Sequence, residues 1–98
     1  MKREELEARW LALTREEMPA VAGERGWPVR FDHCFQRILL DNVCDRPWRE
    51  VIKAPAYRYA SNDLLAKAIV LGDAALEDEA DLDELNRHSL QLRGKLRT

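Results

Sequence analysis

The chain has 98 residues, 46% of them hydrophobic and 35% charged, with 18 acidic against 16 basic side chains and a net charge of −2. That length suits one domain able to bury its own core, without metal or disulfide staples. The balance excludes a global field that would draw the chain to nucleic acid. It carries no apolar run long enough to cross a membrane, and its first ten residues, MKREELEARW, lack the apolar stretch of a signal peptide. A soluble, cytoplasmic protein is the expectation.

In chain order, Arg3 to Glu17 reads as an amphipathic helix with Leu6, Trp10, Leu13 and Glu17 on one stripe. Glu4, Glu5 and Glu7 complement the positive end of its dipole. Pro19 either kinks this run or opens a second short helix that ends at Gly23 to Gly26. Trp27-Pro28 holds the backbone extended, and Asp32 is placed to cap a central helix reaching about Cys44. Trp48 to Lys53 should make one or two helical turns behind Pro47, and Ala54 to Ala60 an ordered loop packed on the body. Ser61 should cap a helix from Asn62 to about Asp78, with Leu64, Leu65, Ala68, Ile69, Leu71 and Leu76 buried. Asp81 and Glu84 have capping-box spacing and open a last helix with Leu82, Leu85, Ser89 and Leu92 as its stripe. Arg93, Lys95 and Arg97 suit its negative end. No β alternation, internal repeat or low-complexity tract appears, so the fold expected is an all-α bundle of four or five helices in a single domain, residues 1–98.

The chemistry concentrates in the central helix, where His33, Arg37 and Asp41 recur every four residues, about 6 Å apart along the axis. Arg37 could hold a carboxylate or phosphate in its fork, with His33 as a pH-sensitive donor and Asp41 orienting Arg37. Trp48 and Tyr57 would supply flat walls, and Arg58 a further cation. The same row also reads as a solvated ion-pair ladder, or as a brace for the loop around Asp45, Trp48 and Tyr57. Arg46, Arg49, Lys53 and Arg58, with Tyr57 and Tyr59, could instead serve nucleic acid. Twelve of the basic residues are Arg, which favours forked pairing but also follows from high-GC coding.

The remaining candidates point to no site. His33, Cys34, Cys44 and His88 match no zinc spacing, and neither cysteine stands where a thiolate is favoured. Cys34 and Cys44 lie about 15 Å apart on one helix and cannot bridge. Trp10, Trp27 and Trp48 read first as core anchors. No cofactor motif is present, and no metal site is expected.

The segment WPVRFDHCFQRILLDNVCDRPW, then APAYR and LNRHSL, resembles a group of small bacterial proteins often catalogued as GNAT-related N-acetyltransferases. The likeness runs from about Trp10 to Lys95 and is most specific at HCFQRILLD. Its matching positions are Trp27, His33, Phe35, Arg37, Ile38, Asp41, Trp48, Pro55, Tyr57 and Arg58. The resemblance implies acetyl-CoA chemistry, with backbone amides of a glycine loop around the cofactor pyrophosphate. This chain departs from that pattern: it has no Gln/Arg-x-x-Gly-x-Gly/Ala segment, and Gly23, Gly26, Gly72 and Gly94 are scattered. The residues therefore read as a small helical binding or regulatory protein for an anionic group on a protein partner or small ligand. An acetyltransferase-related protein and a nucleic-acid-binding module are the alternatives.

Overall fold

The computed structural model describes residues 2–94 and is all-α, with no strand among them. In order come α1 (Arg3–Ala12), a π-helical turn (Leu13–Glu17), α2 (Met18–Ala22), α3 (Asp32–Cys44), a 3-10 turn (Trp48–Glu50), α4 (Ala56–Tyr59), α5 (Asn62–Leu76) and α6 (Leu82–Leu92). Four of these helices have ten residues or more, so the expected bundle of four or five helices is the observed architecture. Lys95 and Arg97 lie outside the described residues. No described helix is long and apolar enough to cross a membrane.

The core is built by α1, α3 and α5, with α6 laid along α3. Phe35, Ile38, Leu39 and Leu40 of α3 are buried against Leu6, Trp10 and Leu13 and against Leu65, Ala68 and Ile69. Gly72 lets the first run approach α5: a Cβ there would stand 2.5 Å from Leu13 Cδ2 and 3.0 Å from Leu39 Cδ1. The α3–α6 contact is tied by Asn42 Nδ2, which donates to the carbonyls of Ile38 (2.7 Å) and Leu85 (2.9 Å).

The first run departs from the expected stripe. Glu17 is exposed, and Thr14 and Met18 are buried instead. Buried positions recur at Leu6, Trp10, Thr14, Met18 and Ala22, always four apart. In a regular α-helix each such step drifts about 40°, so four steps would carry Ala22 about 160° away from the core. The π turn inserts an extra residue, about 100° of rotation, and brings the second half back under the first. Pro19 follows at the start of α2, the second of the two arrangements its position allowed.

The caps account for the other boundaries. Ser61 Oγ accepts from the Leu64 amide at 3.1 Å, and Asp81 Oδ1 from the Asp83 amide at 2.9 Å. Asp32 is the first residue of α3 rather than its cap, and its Oδ1 accepts from the His33 amide. Helix α5 stops at Leu76, two residues early, where Asp78 turns to φ 60° and Arg25 donates to the carbonyls of Ala75 (3.1 Å) and Leu76 (2.7 Å). The segment expected as a loop, Ala54–Ala60, contains the single turn of α4 after a cis Ala54–Pro55 bond. Arg3 holds that turn from α1, donating to the carbonyls of Tyr57 (2.9 Å) and Arg58 (3.2 Å) and to Asn62 Oδ1 (2.8 Å).

Candidate functional site

Helix α3 is continuous from Asp32 to Cys44, so His33, Arg37 and Asp41 do stand on one helix. They do not share one edge. Eight residues of α-helix turn through about 80° beyond two full turns, enough to take a row from solvent to core. The His33 side chain is 77% exposed, stacked on Phe31 with ring centroids 5.9 Å apart, while Asp41 is fully buried and Arg37 lies between.

Asp41 is the centre of a four-donor cage. Its Oδ2 accepts from Ser89 Oγ (2.7 Å) and Arg93 Nε (2.6 Å), and its Oδ1 from Arg93 Nη2 (3.0 Å) and the Trp48 amide (2.8 Å). The expected direct pair of Asp41 with Arg37 is therefore replaced by a fork from Arg93, 52 residues away. Arg37 donates to neutral acceptors, Ser89 Oγ (2.8 Å) and Asn86 Oδ1 (2.9 Å), so Asp41 orients it only through the Ser89 hydroxyl. One carboxylate thus joins α3, α6 and the 3-10 turn. Its hydrogen bonds push the Arg93 pKa above the usual guanidinium range and outweigh burial, which lowers it.

In front of this cage opens a cleft of about 630 Å³, within the range of small-molecule sites. Its apolar walls are Trp10, Trp48, Pro55 and Tyr57, with Ala54 and Ala56 between them. Its polar lining is Arg15, His33, Gln36, Arg37, Arg49 and Arg93, with no carboxylate side chain lining it among the described residues. Arg15 stands 3.9 Å from Asp32, a loose and solvent-exposed approach. Arg49 lies over the Trp48 ring, 5.3 Å from its centroid. Gln36 is set by Thr14 of the π turn, whose Oγ1 accepts from Gln36 Nε2 (3.0 Å) and donates to the Trp10 carbonyl (2.9 Å).

Of the residues singled out from sequence, His33, Arg37, Trp48 and Tyr57 line the cleft, and Asp41 sits behind it. Arg58 is not among them. Its side chain is exposed and does not line the cleft, because the turn of α4 points Tyr57 inward and Arg58 away. Trp10, a core anchor with 1% exposure, also borders the cleft. Arg15, Gln36, Arg49 and Arg93 were not foreseen as a group. Their convergence depends on the π turn and on the docking of α6, and only Arg49 beside Trp48 had a local signal.

The candidate nucleic-acid set does not gather on one face of this cleft. Arg49 lines it, Arg46 and Arg58 are exposed elsewhere, and Lys53 lies over the Tyr59 ring at 5.1 Å. Cys34 and Cys44 are unbridged; burial first, then the Asp41 charge, pushes the Cys44 thiol pKa up, partly countered by Arg46.

Comparison with known proteins finds no matching family model, no matching curated protein and no matching solved structure.

Proposed function

We propose that the protein is a helical binding or regulatory protein, not an enzyme, that takes an anionic group of a ligand or partner into the cleft between α3, the 3-10 turn and α4. One observation carries this reading: four arginines line a cleft with aromatic walls and, among the described residues, no lining carboxylate. Arg37 is the principal contact. Neutral partners fix it, so its charge is retained, and three of its five N–H donors remain for a ligand. Arg93 is held by Asp41 and contributes its outward N–H groups; Trp48 and Tyr57 supply the walls, and His33 stands at the rim. Arg58 has no part in this version of the site.

The test is a chemical-shift map with small aromatic probes: phenyl phosphate and benzoate as anions, benzylamine as the cation of similar shape. Saturable shifts for the anions should centre on the Trp10 and Trp48 indoles and the Arg37 guanidinium, with none for the amine. No saturable shift from either anion at about 10 mM, or shifts scattered over the surface, would reject the reading. The acetyltransferase implied by the sequence resemblance draws no support from a glycine loop, since no strand precedes one among the described residues. Saturable calorimetric binding of acetyl-CoA would bring it forward.

A further inference from the structure

Resting on that reading, the charge count in the cleft narrows the ligand class. Arg15, Arg37, Arg49 and Arg93 bring four positive charges to the lining. Asp41 neutralises Arg93, and Asp32 stands against Arg15 at 3.9 Å. Glu50 acts on Arg93 only at a distance and makes no ion pair among the described residues. Those pairings leave Arg37 and Arg49 with no ion-pair partner among the described residues. A carboxylate offers one charge and two oxygens, which a single fork satisfies. A phosphate monoester offers close to two charges at neutral pH and three terminal oxygens, enough for several donors at once.

The walls add a second requirement. The cleft of about 630 Å³ is larger than one phosphate, and its remainder is lined by Trp10, Trp48, Pro55 and Tyr57. Indole and phenol rings recover most when covered by another flat apolar surface. We propose that the ligand is a small phosphate monoester carried on a planar ring, of the size of a nucleoside monophosphate. Its phosphate lies against Arg37 with Arg49 and Arg15, and its ring lies between Trp48 and Tyr57. A phosphodiester, as in a nucleic-acid backbone, has one charge per phosphate and matches the surplus less well.

The experiment is a calorimetric titration of the intact chain with five probes at fixed ionic strength: phenyl phosphate, benzoate, methyl phenyl phosphate, inorganic phosphate and adenosine 5′-monophosphate. The two monoesters should bind at least about tenfold tighter than benzoate, the diester or inorganic phosphate. Arg49→Gln, on an exposed side chain outside the Asp41 cage, should remove most of the monoester advantage by weakening phenyl phosphate more than benzoate. Equal affinity for benzoate and phenyl phosphate would overturn the monoester assignment and leave the anion cleft standing. Equal binding of the diester would overturn it in favour of a nucleic-acid backbone. Equal binding of inorganic phosphate would remove the ring, and no binding of any probe would remove both this assignment and the cleft's proposed function.

Discussion

Replacing Arg93 by Met keeps most of the side-chain stem and removes the guanidinium from Asp41. The carboxylate has no exposure and would keep only two neutral donors, Ser89 Oγ and the Trp48 amide. Two charge-assisted hydrogen bonds are lost, each worth about 1.5–3 kcal/mol. The Arg93 side chain is 25% exposed, so water can enter where it stood, which places the expected cost near the lower end, about 3 kcal/mol. With a urea m-value of about 1–3 kcal/mol/M for a domain of this size, the midpoint should fall by about 1.5 M. Pairing Arg93→Met with Asp41→Asn removes the stranded charge and should restore stability, with a coupling of at least about 1 kcal/mol. A loss under about 1 kcal/mol for the single change, or strict additivity in the double, would refute the account of Asp41 as the centre of the α3–α6 joint.

Two further outcomes follow from packing and burial. Gly72→Ala gains helix propensity, about 1 kcal/mol, but its methyl meets Leu13 Cδ2 at 2.5 Å in a fully buried setting. Overpacking should win and lower the melting temperature, so a stabilised variant would show that the π turn and α5 have slack. For Cys44, burial raises the folded thiol pKa above the unfolded value. The stability it contributes is complete below the ordinary thiol range, about 8.5, and is lost as pH rises through the folded value. Peptide-resolved alkylation at pH 8 should accordingly be slower at Cys44 in the folded protein than in urea, and equal rates would contradict the burial.

The helices were readable because their signals are local. Ser61, Asp81 and Pro19 mark starts, and apolar residues three and four apart mark the buried faces of α3 and α5. Within the candidate site, the continuity of α3 was legible, whereas the inward turn of Asp41 comes from the drift of about 40° in each four-residue step. The Arg93 fork was hidden for another reason: it joins positions 52 residues apart and depends on how α6 docks. The π turn did leave a trace in the strict period of four from Leu6 to Ala22, which a regular α-helix cannot keep on one side. Arg15 and Gln36 could not be placed in the cleft without recognising it.

That extra residue makes the first long run sensitive to length more than to identity. Removing the exposed Glu16 from the π turn would let an ordinary α-helix run through, and everything beyond would swing round by about 100°. Met18 and Ala22 would leave their sockets, although no buried side chain had been changed. Exchanging one exposed residue for another in the same stretch, such as Glu16, leaves that alignment alone. The spacing between Trp10 and Met18 is thus a ruler for this run, and shortening it by one notch parts contacts that exchanging its exposed residues would leave in place.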